Sequence, residues 1–131
     1  MSYREPVYTS EACAPLPQFS QAIKYNGLVY CSGTVGTDPV TDELVPGTVT
    51  NRARMALRNL QAVLEAAGSS LDRVVKANVF LTDMNDFERL NIAWDEFFPV
   101  DPKPCRTCVA VHQLPLNTDV EIEMIASYGE N

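Results

Sequence analysis

The sequence predicts an α+β sandwich, with two amphipathic helices on one face of a mixed sheet and the order β-β-α-β-α-β-β. Three observations carry this. Apolar residues recur twice at helical spacing, near residues 50–67 and 86–97. Alternating or β-branched runs precede, separate and follow those two segments. Asn26-Gly27 stands between the first two such runs, the strongest short signal for a hairpin because both residues tolerate positive φ.

Residues 1–16 show no period and contain Pro6 and Pro15, so an irregular N-terminal arm is expected on a single domain spanning 1–131. Residues 19–25 alternate, and Leu28-Val29-Tyr30-Cys31-Ser32 resumes β character. Residues 33–47 are rich in Gly, Pro, Asp and Thr and read as a loop. In the first helix Ala53, Ala56, Leu57, Leu60, Val63, Leu64 and Ala67 form one stripe, and Gly68 is its natural terminator. Arg52, Arg54 and Arg58 fall on the other side, as on a solvated helix face.

A strand over 74–82 is expected to place Val75, Ala77, Val79 and Leu81 on one face and Lys76, Asn78, Phe80 and Thr82 on the other. In the second helix Phe87, Leu90, Trp94 and Phe97 point inward, with Asp83 or Asn85 as cap. Residues 99–104 form a stiff linker. The last third reads as two strands, near 104–111 and 120–126, joined by a short turn. With the helices on one face, the other is expected to gather Asn78, Phe80, Arg106, Cys108, Ala110, Glu121, Glu123 and Ile125. That surface is too apolar for water and too polar for a dry core, so burial against other subunits is the economical expectation.

At 131 residues, 46% hydrophobic and 21% charged, the chain has the composition of one ordinary globular domain. No apolar run is long enough for a membrane span. The start of the chain has neither an apolar signal core nor a basic transit character. A cytoplasmic location is expected, with a mitochondrial one left open. The net charge of −7 and scattered Lys and Arg argue against a nucleic-acid partner. Cys105 and Cys108 make a C-x-x-C, but strand alternation turns them to opposite faces, and His112 is the only histidine. No metal is expected, and the cysteines read as buried, reduced thiols.

Arg106 and Glu121 are the residues with the most chemical content. A strand-borne Arg can hold a carboxylate in a bidentate grip, or it can pair with Glu121 or Glu123. Glu121 and Glu123, two apart on one strand, point the same way. Backbone N–H groups at Ser32-Gly33, where a strand opens into a loop, can bind an anion or a carbonyl oxygen. Asn91 lies beside the inward stripe of the second helix. Phe87, Trp94, Phe97 and Phe98 read as core. No phosphate loop, nucleophile elbow or paired-His motif occurs.

Several stretches resemble the Rid family, also called YjgF/YER057c/UK114. They are Phe19-Ser20-Gln21-Ala22-Ile23, Cys31-Ser32-Gly33, the runs at 59–68 and 75–84, Pro104-Cys105-Arg106 and Val120-Glu121-Ile122-Glu123-Met124-Ile125-Ala126. The resemblance covers roughly residues 12–127 in the family's order. It implies a chorismate-mutase-like fold, a homotrimer with clefts between subunits, and hydrolysis of reactive 2-imino acids, or their enamine tautomers, to 2-oxo acids and ammonia. It implies that Arg106 binds the substrate carboxylate, that Glu121 orients or activates water, and that Ser32, Gly33, Asn91 and Cys108 line the cleft without cofactor or metal. Phe19 stands where the family usually has Tyr and makes the pocket more apolar. Thr34 and Arg52 stand where Gln is common, and Cys105 where Ala is common. The competing expectations are a trimeric metabolite-binding or chaperone-like relative with little turnover, or a member specialised for a bulkier imine.

Overall fold

The computed structural model describes residues 3–130. Residues 1, 2 and 131, which belong to the expected arm and domain end, lie outside the described residues. The strands are β1 (Glu5–Val7), β2 (Ala22–Tyr25), β3 (Leu28–Thr34), β4 (Val74–Leu81), β5 (Cys105–Ala110) and β6 (Val120–Ser127). The helices are α1 (Val49–Ala66) and α2 (Phe87–Phe97). One six-stranded sheet has the order β1-β2-β3-β6-β4-β5. Only β4 and β5 pair in parallel; the other neighbours are antiparallel.

The two helices pack on this mixed sheet, as the sequence predicts. β3 and β4 both run antiparallel to β6, so they are parallel to each other, and β5 is parallel to β4. The chain therefore makes two successive crossovers, β3-α1-β4 and β4-α2-β5, stepping the same way across the sheet. Crossovers of this kind are right-handed almost without exception, which puts both helices on the same face. Every residue of the expected α1 stripe is buried, from Ala53 to Ala67. Thr48 caps the N-terminus in a reciprocal pairing with Asn51. At the other end Gly68 takes φ +80°, while the Ser69 and Gly68 N–H groups donate to Leu64 O and Glu65 O. The Asn26-Gly27 turn has both residues at positive φ, which matches the twist of the β2–β3 hairpin.

Six details depart from the sequence reading. The arm is not wholly irregular, because Glu5–Val7 pairs with β2 as an edge strand. The last two strands are not neighbours: β4 lies between them, and their connection, residues 111–119, passes over the end of β4. There the Thr82 N–H donates to Asp119 O and the Val111 N–H to Leu81 O. Val75 is exposed and Val74 buried, because the β4–β6 register shifts between Val74 and Lys76. Phe87 is exposed, and the inner face of α2 is made by Leu90, Ala93 and Trp94, with Phe98 stacked on Trp94 at 4.4 Å between centroids.

The fifth departure concerns the second sheet face. Parallel pairing sets Arg106 level with Ala77 and Cys108 level with Val79, both of which face the helices. Arg106, Cys108 and, by alternation, Ala110 therefore lie on the helix side. Thr107 and Val109 join Asn78, Phe80, Glu121, Glu123 and Ile125 on the open side, where Asn78 Nδ2 donates to Glu123 and Lys76 Nζ to Thr107.

The basic face of α1 is also not simply solvated. Arg54 forms a bidentate pair with Glu96 that links α1 to α2. Arg52 grips Asp119 through Nε and Nη2 at 2.7 and 2.8 Å, and donates to the Val45 and Gly47 carbonyls. It thus ties the loop before α1 to the entrance of β6. The Arg52 guanidinium holds the Asp119 carboxyl below the usual Asp range. With side-chain exposures of 19% and 24%, the pair is shielded enough to contribute to stability.

Asp119→Asn is expected to cost about 1–3 kcal/mol, read as a lower urea midpoint at pH 7. A depressed folded-state value means that the stabilisation is present above the unfolded Asp value of about 3.9. It is lost as pH falls through the folded value. The gap between wild type and variant should therefore close under acid conditions, and a gap independent of pH would contradict the ion pair.

Candidate functional site

The predicted site residues fall into two groups. The first is centred on Arg106. Phe87, Asn91 and Trp94 follow one another at spacings of four and three on α2, so they share a face. That face meets the guanidinium. Arg106 Nη1 donates to Asn91 Oδ1 at 2.8 Å, and Arg106 Cζ lies 4.9 Å from the Trp94 ring centroid and 5.4 Å from that of Phe87. Both contacts are within cation–π range. Among the described residues no carboxylate forms an ion pair with Arg106. The possible salt bridge to Glu121 or Glu123 is therefore not made within this chain. Arg106 is held by neutral partners and its charge is not neutralised. Cys108, two residues on and on the same face, is half-buried; burial pushes its thiol up, and Arg106 partly offsets this.

The second group surrounds Glu121. A cavity of about 590 Å³ is walled by the segment before β2, the end of β3, α1 and the β5–β6 connection. Phe19, Ser32, Gly33 and Glu121 line it. Glu121 packs against the β3 backbone at Gly33, where an added Cβ would lie 2.8 Å from Glu121 Oε2. A side chain at this position would push the Glu121 carboxylate out of its present place. Burial raises the Glu121 carboxyl above its ordinary value, and the like charge of Glu123 raises it further. Ser32 offers less than its position in the sequence suggests. β3 continues through an irregularity to Thr34, the Ser32 N–H donates to Gln21 O, and the Ser32 hydroxyl donates to Ser20 O at 2.6 Å.

The two groups do not meet. Arg106 is level with Ala77, which is level with Met124, three residues along β6 from Glu121 and two strands away. The side chains project from opposite faces of the sheet, and the cavity lining contains no Lys or Arg. One half has a cation without a base, and the other a base without a cation. Phe87 and Trp94, read from sequence as core, are the ring partners of Arg106; their spacing with Asn91 was the available signal. Leu16, Leu116, Thr37 and Asn59 also line the cavity. They come from four separate segments, and no local pattern marks them.

Against the expectation of buried thiols, Cys105 is exposed at the start of the edge strand β5, Cys13 and Cys108 are partly buried and Cys31 is buried; all four are free thiols. Among the described residues no cluster of three or more His, Cys, Asp or Glu side chains is placed to hold a metal ion. No helix of the described residues is long and apolar enough to cross a membrane.

The sequence profile of the family described as Endoribonuclease L-PSP matches residues 9–128. The Schizosaccharomyces pombe protein mmf1, mitochondrial, is 46% identical over 130 residues, covering 96% of this chain and 77% of its own length. A mouse protein named 2-iminobutanoate/2-iminopropanoate deaminase is 41% identical over 126 residues, covering 96% and 93%. The crystal structure of E. coli TdcF with bound serine superposes with a TM-score of 0.89 at 34% identity, covering 95% of this chain and 99% of that one. Matches of this extent include both halves of the candidate site. The chain belongs to the Rid (YjgF/YER057c/UK114) family and has its chorismate-mutase-like α+β fold.

Proposed function

We propose that this protein hydrolyses 2-imino acids to 2-oxo acids and ammonia, in clefts between the subunits of a homotrimer. The observation that carries this reading is the division of the site. Arg106 is an unneutralised cation on one sheet face, and Glu121 is a desolvated carboxylate on the other. Neither suffices alone, but each supplies what the other lacks if the Arg106 surface of one copy faces the Glu121 cavity of the next. The partly apolar open sheet face, with Tyr30 and Val109 exposed, provides surface to bury in such an assembly. The name of the mouse relative supports the reaction, and the serine in TdcF supports an amino-acid-like carboxylate ligand.

In this mechanism Arg106 binds the substrate carboxylate in a bidentate grip, oriented by Asn91 and the two rings. The protonated imine carbon is already electrophilic, so positioning and one proton transfer do most of the work. Glu121 takes a proton from water as the oxygen bonds to the imine carbon. Protonated Glu121 passes that proton to nitrogen and takes up the hydroxyl proton as the C–N bond breaks and the C=O forms; ammonia leaves with the 2-oxo acid and carries the last proton away as ammonium. Cys108 and Ser32 shape the cleft walls. The mechanism asks for no metal or cofactor. A second reading, a metabolite-binding trimer with little turnover, is favoured by Phe19, which lines the cavity without a hydroxyl. Phe19→Tyr separates the two: under the deaminase reading it should retain or raise turnover of small imines. A cytoplasmic location fits the unpaired thiols, and cell fractionation decides between that and the mitochondrial location named for mmf1.

Light scattering should give about three times the 14.5 kDa chain mass; a stable monomer at micromolar concentration would sink the shared cleft. Arg106→Ala should lower kcat/KM by about a hundredfold or more with the fold intact, and Arg106→Lys should restore little. Glu121→Gln should bind product 2-oxo acids but lose turnover.

The pH profile tests the base. Glu121 must be ionised to act, so kcat/KM should fall as pH drops through its raised value. Glu123→Gln removes one of the two causes of that rise, so the acid limb should move to lower pH. An unmoved limb would exclude Glu121 as the titrating base.

A further inference from the structure

Glu121 and Glu123 stand on one face of β6 and meet β4 in the same register, yet their neighbours there differ in kind. Glu123 is level with Asn78, whose Nδ2 donates to Glu123 Oε2 at 3.3 Å. Glu121 is level with Phe80, which has nothing to donate. Residues directly opposite on antiparallel strands hold their Cβ atoms about 4.5–5.5 Å apart, so the ring stands beside the stem of the carboxylate. Val109 of β5, level with Phe80, continues the apolar row to the sheet edge. Lys76, the cation on this face of β4, is level with Ile125 and donates to Thr107.

The direction of the Glu121 side chain is a second, independent observation. A Cβ added at Gly33 would fall 2.8, 2.9 and 3.3 Å from Glu121 Oε2, Cδ and Cγ. The outer part of the side chain therefore leans onto β3, away from β4, and borders the cavity. Among the described residues no group donates a hydrogen bond to this carboxylate and no cation pairs with it. The ionisable groups around it are Glu123 on β6, Lys76 on β4, Cys105 on β5, Tyr30 on β3, and Asp42 and Cys13 across the cavity. Of these, Glu123 is the charge that acts on it, and burial acts more strongly.

Resting on the deaminase reading, we propose that Phe80 is a positioning residue for that reaction: its ring closes the β4 side of Glu121, denies the carboxylate a donor there, and leaves it lying over Gly33 toward the cavity. Two adjacent carboxylates of one strand are thereby divided by task. Asn78 holds Glu123 in place, while Glu121 keeps its lone pairs for a proton from water. A donor at a carboxylate favours its charged form and weakens it as a base, which is why an apolar neighbour suits Glu121 and an amide suits Glu123.

The test compares three variants. Phe80→Asn offers Glu121 the group that Asn78 offers Glu123, Phe80→Thr offers a donor on a side chain suited to a strand, and Phe80→Leu keeps the wall apolar. Both polar variants should move the acid limb of kcat/KM to lower pH by roughly half a unit or more. They should lower kcat about tenfold. KM should change less than about twofold, because the Arg106 grip on the substrate is made elsewhere. Phe80→Leu should leave the limb in place. A limb unmoved by both polar variants, or moved as far by Phe80→Leu, overturns the proposal. Carboxyl NMR of glutamate-labelled protein, with the Glu121 signal identified by its loss in Glu121→Gln, follows the same titration without need of turnover or assembly. A Glu121 titration moved to lower pH by the polar variants, in a protein that turns over no imine, would retain the role of Phe80 and reject the deaminase. A Glu121 titration that none of the variants moves would reject the role of Phe80 whatever the turnover.

Discussion

Strand β6 is apolar at every second position, with Val120, Ile122, Met124 and Ala126 all buried, and both of its edges are hydrogen-bonded, to β3 and β4. The rest of the molecule is arranged around that double pairing. It fills the place between the two strands of the first crossover, β3 and β4, gives α1 a floor, and sends Glu121 and Glu123 to the face away from the helices. β5 is left at the sheet edge, in parallel register with β4. That register turns Arg106 under α2. One chain therefore presents the partly desolvated Glu121 carboxylate and the unneutralised Arg106 guanidinium on opposite sides.

The electrostatics reinforce this separation. Arg52 and Arg54 each have a carboxylate partner on another segment, so their charges serve to join elements, and Arg89 pairs locally with Asp86 at the start of α2. Arg106 has an amide oxygen and two ring faces instead. Ring faces orient a guanidinium without cancelling its charge, which leaves most of its donors for an anion. Across the sheet, burial and Glu123 both oppose ionisation of Glu121, which makes it a better proton acceptor than an exposed carboxylate. A cation kept unpaired and a carboxylate kept basic are costly separately and complementary together. This is the physical case for a cleft formed between copies of the chain.

Rigidity is distributed to suit that arrangement. Arg52 and Asp119 clamp the entrance of β6 to α1 and the preceding loop, two residues before Glu121. Gly33 lets the β3 backbone approach the carboxylate. The β5–β6 connection, with Leu116 and Asn117 at positive φ, is held at both ends by hydrogen bonds around the end of β4. The cavity wall is thus built from loops pinned to a rigid sheet, where differences in ligand preference are readily accommodated.

Local pattern determined the elements. Period 3.6 gave both helices, Gly68 ended the first, Asn26-Gly27 set the hairpin, and alternation told which side chains of β6 share a face. The same alternation placed Cys105 opposite Cys108. Family resemblance marked Arg106, Glu121, Phe19, Ser32, Gly33, Asn91 and Cys108 as candidates. Tertiary structure decided how they group. Alternation within a strand says nothing about which face of the sheet is inward, and that choice for β5 depends on its register with β4. Strand order is likewise set by burial of whole faces: the short segment between β5 and β6 looks like a hairpin turn, yet β6 is buried by pairing on both edges. The Val75 irregularity, the β1 edge strand, and the assembly of Leu16, Asn59 and Leu116 around one cavity arise from contacts between distant segments, which no local periodicity encodes.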